Sequence, residues 1–264
     1  MTEKKKTISL YAKDEQIVNA AIDKIVVDLF NKREEGHGGQ AIVLTGCSPL
    51  AGVTYTSIAL GIAMASSRRK TLVIDCDVRK AIKYKKLNEE ASTGLADYLL
   101  KDDVKVADVI YETNIENLSY MPCGEYSEHS TRVLCSPKMD DLIAEAREQF
   151  DCILLDVPSI TIVPDAQILF PSVDGIILLS ALGETRKKQL KEAKMKVAPF
   201  ASKYYGMIVN KIPLDVYRQN VKNYDYYFVD KKGEQNLHKS EAYQKYKKKE
   251  MRGRREEKSN EKND

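Results

Sequence analysis

A glycine-containing turn near the start of the chain has the spacing of a phosphate-binding loop. The apolar run 41–45 leads into the turn 46–52, and a helix is predicted to begin near Val53. In the pattern G-x-x-x-x-G-K-[ST], such a turn holds phosphate with its backbone N–H groups at a helix N-terminus. Gly52 and Thr54 match, and Thr54 stands where a hydroxyl would bind Mg²⁺. Val53 stands where the pattern has a lysine, so the cation that reaches the β and γ phosphates is missing.

Three aspartates follow two other apolar runs. Asp75 and Asp77 end TLVIDCD, and Asp156 ends FDCILLD. Such runs are typical of strands buried on both faces, and open α/β sheets bind ligands at the carboxyl ends of their strands. Mg²⁺ takes one or two carboxylates with phosphate oxygens and water, and a carboxylate can accept a proton in phosphoryl transfer. One such aspartate is more often a cap or turn residue, so the predicted site depends on all three together with the turn.

Apolar runs alternate with helical patterns along the chain. This alternation predicts an α/β fold with a mainly parallel sheet and helices on both faces. The 264 residues, 43% of them hydrophobic, suit one such domain with extensions. Strands are predicted at 41–45, 71–76, 118–121, 152–156, 174–180 and 206–211, and helices at 53–67, 92–100, 104–112, 137–149, 164–170 and 185–198.

Several further segments carry a family resemblance over about residues 39–212. In chain order they are TLVIDCDVRK, STGLADYLL, NIENLSYMPCG, FDCILLDVP, VPDAQILFPSVDGIILLSALGETRKKQLKEA and GMIVNKI. The chain resembles the bacterial tyrosine kinases (BY-kinases) of the capsular exopolysaccharide family, a branch of the MinD/ParA-like P-loop ATPases. Val53 makes its Walker A motif degenerate. The implied domains are an N-terminal packing or oligomerisation extension (1–38), a P-loop kinase-like domain (39–213) and a flexible basic tail (214–264).

The resemblance also implies ATP and Mg²⁺ as cofactors and a role for each matching residue. Asp75 and Asp77 correspond to the family's catalytic and metal-organising aspartates, and Asn210 would face the adenine. The expected Mg²⁺ ligands are Thr54, Asp77 and Asp156. The expected nucleotide contacts are Ser48, Gly52, Val53, Thr54, Tyr55 and Asn210.

The family's autophosphorylated C-terminal tyrosine cluster has a counterpart in the tail. The tail is rich in charge and has little apolar periodicity, so it is predicted to be mobile and able to bring a tyrosine to an active site. Alternatively, its tyrosines only pack on the body. The predicted phosphoacceptors are Tyr224, Tyr226, Tyr227, Tyr243 and Tyr246, with Tyr217 upstream of them.

Val53 leaves three functions open. Losing one preorganised charge stabiliser typically lowers a rate by about 10²- to 10³-fold, but backbone N–H groups and Mg²⁺ could still bind nucleotide. Arg79, Lys80 or Lys211 could supply another cation. The first function is an ATP-dependent tyrosine kinase that regulates capsular or exopolysaccharide biosynthesis. The second is a pseudo-kinase that binds nucleotide or a partner as a scaffold, and the third is a MinD/ParA-like ATPase switch acting through dimerisation.

The segment 19–30 reads as an amphipathic helix, with Val18, Ile22, Ile25, Val26 and Leu29 on one stripe. It is predicted to pack on the body. In the family, the corresponding helix carries a glutamate and two arginines that assemble subunits into a ring. Ile22 and Ile25 stand at the arginine positions, so the sequence leaves open a homo-oligomer and in particular the ring.

Charge and hydropathy patterns bear on location and partners. The net charge is +3, and residues 214–264 hold fourteen basic and ten acidic side chains. A basic tail can contact anionic lipid or nucleic acid, but no stacking module or recognition helix supports nucleic-acid binding, which is not expected. The longest nearly uncharged helical stretch, 57–67, is too short for a membrane span, and the start lacks a signal-peptide apolar region. A cytoplasmic protein is expected, and the resemblance implies recruitment to the inner face of the membrane by an adaptor of the polysaccharide co-polymerase type.

Five cysteines show no metal-site spacing and are expected to be reduced thiols. Cys47 lies in the turn before the predicted helix. It is the cysteine whose thiolate a helix N-terminus could stabilise.

Overall fold

The apolar runs form one sheet in the computed structural model. The structure describes residues 7–12, 16–32, 38–79, 93–125, 127, 129–213 and 215–217. Eight strands lie within these residues. They are β1 (Thr7–Ile8), β2 (Gln40–Gly46), β3 (Thr71–Asp75), β4 (Tyr111–Thr113), β5 (Leu118–Met121), β6 (Cys152–Val157), β7 (Gly175–Ala181) and β8 (Tyr204–Asn210).

The sheet is parallel at every strand pair except one. Its order is β1-β4-β5-β3-β6-β2-β7-β8, and only β4 and β5 run antiparallel. All residues of β2, β6 and β7 are buried, as the unbroken apolar runs predicted for strands covered on both faces. The six predicted strands are confirmed to within two residues at each end. The fold is therefore the predicted α/β class, with a mainly parallel sheet.

Helices cover both faces of the sheet. They are α1 (Gln16–Phe30), α2 (Val53–Ser66), α3 (Leu95–Leu100), α4 (Val106–Val109), α5 (Ser130–Leu134), α6 (Lys138–Gln149), α7 (Asp165–Leu169) and α8 (Lys187–Val197). One apolar core lies between the sheet and α1 and α2, and the other lies between the sheet and the remaining helices. A Cβ on Gly61 of α2 would lie 2.8 Å from Val73 and 3.2 Å from Leu118, so this glycine lets α2 lie close to the sheet.

The predicted stripe on α1 packs on the body. Val26 and Leu29 are buried, and Ile22 and Ile25 are half-buried against the core shared with α2. Ile22 and Ile25 thus serve packing in this chain.

One predicted helix is wrong at its C-terminal end. The helix predicted at 104–112 is the short α4, and Tyr111 begins strand β4 instead. Tyr111 pairs with Tyr120 of β5, and its hydroxyl donates to the Thr93 carbonyl (3.1 Å). The pairing with β5 and the bond to Thr93 override the helical periodicity of the sequence.

The chain divides into two units, residues 1–211 and 212–264. In the second unit, the Tyr217 amide donates to the Pro213 carbonyl (2.9 Å) within a short helical turn. The predicted phosphoacceptors, from Tyr224 to Tyr246, lie outside the described residues.

Candidate functional site

The turn between β2 and α2 is held in place through its carbonyl groups. Three of its carbonyl oxygens accept hydrogen bonds from side chains of neighbouring loops and strands. The donors are the Ser159 hydroxyl to Gly46 (2.9 Å), the Thr161 hydroxyl to Cys47 (3.1 Å) and the Asn210 side-chain amide to Ala51 (2.9 Å). These bonds orient the peptide planes of the turn and so fix the directions of its N–H groups. Sequence reasoning missed Ser159 and Thr161, because they belong to a loop that is distant in the sequence.

Two residues of the turn have left-handed backbone. Gly52 has φ +91°, and a Cβ there would lie 2.2 Å from the side-chain nitrogen of Asn210, so this position needs glycine. Leu50 has φ +58° although it is not glycine, and its side chain is 84% exposed. Leucine in this region costs about 1–2 kcal/mol.

The N-terminus of α2 adjoins the turn. Gly52 is the cap residue and α2 begins at Val53, so no capping side chain covers the first N–H groups. The positive end of a helix dipole is favourable for an anion at this point. The Val53 side chain is half-buried and packs against the core that α1 and α2 share, where the P-loop pattern would have a lysine.

The predicted aspartates converge at the ends of β3 and β6. Asp75 lies directly opposite Asp156 in the parallel register, and both side chains are buried. The amide of Asp77 donates to the Asp75 carboxylate (3.0 Å). Like charges this close in a buried site repel, so the arrangement favours a bound cation or further hydrogen-bond donors.

Tyr120 on β5 is a donor to this carboxylate pair. The side chain is 2% exposed, and its hydroxyl hydrogen-bonds to Asp75. Burial, followed by the charges of Asp75 and Asp156, raises the pKa of Tyr120 well above its ordinary value. The phenol therefore stays protonated as a hydrogen-bond donor. Sequence reasoning missed Tyr120, since its side chain meets Asp75 only through the order of the strands.

A cleft of about 830 Å³ joins the turn to the aspartates. It is lined by Ser48, Gly52, Val53, Thr54, Tyr55, Asp77 and Asp156 among the predicted site residues. Two predicted residues are not in the lining. Asp75 is buried beside Asp156, and Asn210 contacts the turn from the end of β8. Neighbouring parallel strands thus bring the predicted residues together at their carboxyl ends.

The donors that line this cleft fit Mg²⁺ bound together with a phosphate. Thr54, Asp77 and Asp156 offer one hydroxyl and two carboxylates. Mg²⁺ usually takes one or two carboxylates and completes its shell with substrate phosphates and water. No cluster of three or more His, Cys, Asp or Glu side chains suited to a metal occurs in the described part of the chain. The donor set therefore suits a nucleotide-dependent Mg²⁺ better than a metal held by protein ligands alone.

Two of the three candidate replacement cations lie in the lining. Arg79 makes two bonds to the buried Asp165 carboxylate and one to Thr131 (3.0 Å), and the Asp165 hydrogen bond raises the pKa of Arg79. Removing one partner of such a buried pair typically costs about 3–5 kcal/mol. Lys211 pairs with Glu184 (2.7 Å) in an exposed ion pair, a type worth only about 0–1 kcal/mol. The third candidate, Lys80, lies outside the described residues.

The thiols near the site are buried. Burial raises the pKa of Cys47 to about 11, with a smaller opposing effect from Lys194. Burial and the surrounding carboxylates, Asp75 first, raise the pKa of Cys76 well above its ordinary value. Both thiols are therefore protonated at neutral pH, and Cys47 is not an activated thiolate.

The fold and the cleft define a P-loop NTPase-like protein. The AAA domain family matches residues 50–184. The chain is 33% identical to the tyrosine-protein kinase CpsD of Streptococcus pneumoniae serotype 4 over 183 residues, which cover 69% of this chain and 80% of CpsD. The chain belongs to the bacterial tyrosine kinases of the capsular exopolysaccharide family.

Solved structures agree on the fold. The kinase domain of the Escherichia coli tyrosine kinase ETK superposes with a TM-score of 0.67 at 23% identity, covering 74% of this chain and 75% of the solved kinase-domain chain. The Pyrococcus horikoshii septum site-determining protein MinD, complexed with Mg-ADP, gives a TM-score of 0.52 at 22% identity, covering 69% of this chain and 76% of MinD. At these identities the likeness concerns the fold alone.

Among the helices of the described residues, none combines the length and the apolar character that a bilayer span requires.

Proposed function

We propose that the chain binds Mg-ATP in the cleft and transfers the terminal phosphoryl group slowly to tyrosines of its own tail. The observation that carries this proposal is the shared cleft of Asp77, Asp156, Thr54 and the N-terminus of α2. These groups offer Mg²⁺ ligands beside a phosphate-binding helix terminus. Family membership supports the same activity, since relatives such as CpsD carry the name tyrosine-protein kinase.

The residues of the cleft have separate roles in this reaction. The tyrosine oxygen forms a bond to the terminal phosphorus, the bond from phosphorus to the ADP oxygen breaks, and the phenol proton passes to a carboxylate. Asp77 lines the cleft, so it is placed to accept that proton, whereas buried Asp75 orients it through the Asp77 amide. Bound Mg²⁺ would neutralise charge on the phosphate oxygens. Asn210, which fixes the turn, is proposed to lie near the adenine.

The second candidate function is a pseudo-kinase scaffold that binds nucleotide or a partner. The observation that favours it is the aliphatic side chain of Val53, which packs on the core. Without a lysine at this position, the rate is expected to fall by about 10²- to 10³-fold. Either function would regulate capsular or exopolysaccharide biosynthesis, from the cytoplasm, with a membrane adaptor as the partner that recruits and activates the chain.

Phosphotyrosine mass spectrometry of the purified full chain, incubated with Mg-ATP, separates the two functions. We expect weak autophosphorylation at Tyr224, Tyr226, Tyr227, Tyr243 or Tyr246, and an increase of about 10²-fold or more in Val53→Lys. If neither protein contains phosphotyrosine, the kinase function is rejected and the scaffold function remains. A strong signal from the unmodified chain would reject the pseudo-kinase.

Two variants check the origin of the signal. Asp75→Ala in the Val53→Lys background should abolish it, because the carboxylate that orients Asp77 is gone. Asp102→Ala, in a side chain that is almost fully exposed beside Lys138, is the matched control and should leave the signal unchanged.

A further inference from the structure

We propose that Lys211 supplies the phosphate-binding cation that position 53 lacks. In the free protein, its ion pair with Glu184 keeps it from the phosphate site until a nucleotide binds. This inference rests on the proposed binding of ATP in the cleft. The phosphate-binding cation would then come from the end of β8, whereas in the P-loop pattern it comes from the first turn of the helix.

Lys211 is placed at the turn by the residue before it. The Asn210 side-chain amide donates to the Ala51 carbonyl (2.9 Å), and its oxygen accepts from the Lys211 amide (2.8 Å). These two bonds fasten the backbone of residue 211 to the phosphate-binding turn. Lys211 also has φ +57°, so the chain bends sharply at this point. Its side chain lines the same cleft as Val53 and Thr54.

The ion pair that Lys211 makes is easily exchanged. The Nζ of Lys211 lies 2.7 Å from a Glu184 carboxylate oxygen, with the two side chains 38% and 54% exposed. Exposed pairs of this kind are weak, and lysine carries its charge on a flexible four-carbon stem. A polyphosphate with its greater negative charge is therefore a stronger partner for Lys211 than Glu184.

Arg79, the other cation in the described lining of the cleft, is not free to move in this way. Its guanidinium is bonded to Asp165, whose side chain is completely buried, and to Thr131. Moving it to a phosphate would leave the Asp165 charge buried without its partner. The structure thus separates two cations that the sequence could not rank, one fixed and one exchangeable.

Isothermal titration of the full chain with ATP, ADP and adenosine, each with Mg²⁺, tests the assignment. Lys211→Met should weaken ATP binding about ten-fold, the loss of one charge-assisted hydrogen bond, and leave adenosine binding unchanged. Lys211→Arg should retain most of the ATP affinity. Glu184→Gln should tighten ATP binding, because Lys211 no longer has a competing carboxylate.

Two further proteins make the result specific. Lys138→Met is the matched control, because Lys138 makes a 2.7 Å exposed ion pair with Asp102 away from the cleft, and it should change no affinity. In Val53→Lys, the effect of Lys211→Met should shrink, since the lysine at position 53 then meets the same phosphates.

The outcomes against the proposal are distinct. Equal losses for ATP and adenosine in Lys211→Met would mean that Lys211 contacts the base, and an unchanged ATP affinity would mean that it contacts neither; both overturn the assignment while nucleotide binding stands. If the unmodified chain and Val53→Lys bind no ATP at all, the proposed function fails and the role of Lys211 falls with it.

Discussion

Leu50 has a backbone conformation that leucine rarely adopts, in the turn between β2 and α2. Its φ is +58° and its side chain is 84% exposed, so little packing offsets the strain. We expect Leu50→Gly to stabilise the protein by about 1 kcal/mol, because relief of the left-handed strain exceeds the entropic cost of glycine. Urea unfolding measures the change.

Leu182 provides the control for this prediction. Leu182 is 45% exposed and does not have positive φ. Glycine at this position relieves no strain, so Leu182→Gly should lower the free energy of unfolding by about 0.5–1 kcal/mol. A loss of similar size in both variants would show that Leu50 is not strained.

The hydrogen bond from Tyr120 to Asp75 makes the folding stability depend on pH in the alkaline range. Its pKa is raised in the folded protein, so the folded chain keeps the phenol proton after the unfolded chain, with a pKa of about 10, has lost it. Stability from this group is complete below pH about 10 and falls as pH rises further. Tyr120→Phe should lose about 1–3 kcal/mol at neutral pH, because a buried carboxylate loses a donor.

The pH dependence distinguishes this role from simple packing. The difference in unfolding free energy between the unmodified chain and Tyr120→Phe should narrow as pH rises above about 10, where only the former loses stability through this group. Urea unfolding from pH about 8 to 11 tests this. A constant difference would mean that the hydroxyl does not titrate with a raised pKa.

At the scale of elements, the long apolar runs were predictable and the short pieces were not. β2, β6 and β7 are buried on both faces, so hydrophobicity alone marks them. β1 has two residues and β4 has three. β1 pairs with β4 far along the chain, whereas β4 pairs with β5, which follows it after a short turn. Strands this short contain too few residues for a hydrophobic pattern to mark them.

A related limit applies to the site. Asp75, Asp77 and Asp156 could be predicted because each lies at or just after the carboxyl end of a recognisable strand. Tyr120 and Thr161 could not, since their partners come from other segments, and neither could the choice between Lys211 and Arg79. That choice depends on the burial of one acidic partner and the exposure of the other.

The packing of α1 gives a prediction at the same scale. Leu29 is 2% exposed in the core beneath α1, and Leu29→Ala should lower the free energy of unfolding by about 2–4 kcal/mol through lost burial and a cavity. Val27, on the other side of the helix, is 55% exposed, and Val27→Ala should change it by less than about 0.5 kcal/mol. Equal effects in urea unfolding would mean that α1 does not pack as a fixed part of the body.

For the whole molecule, the site connects ligand binding to folding stability. The turn, the ends of β3 and β6, and Lys211 directly after β8 meet at one cleft, so a bound nucleotide would contact elements from distant parts of the sequence. A ligand that binds only the folded chain stabilises it by about 2.7 kcal/mol at one hundred times its Kd. Thermal unfolding with ATP should therefore show a higher Tm, and a larger increase with Mg²⁺ than with EDTA.

Asp156→Asn should remove the Mg²⁺-dependent part of that increase and keep the part due to ATP alone. The comparison uses the shift in Tm and not Tm itself, because removing one of two adjacent buried carboxylates also changes the stability of the free protein. Asp102→Asn, a 99% exposed carboxylate, controls for the loss of one charge and should keep the full Mg²⁺-dependent shift. An equal shift with Mg²⁺ and with EDTA in the unmodified chain would mean that Mg²⁺ does not contribute to ATP binding in this cleft. The carboxylates at the ends of β3 and β6 would then have a structural role in the sheet and no role in nucleotide binding.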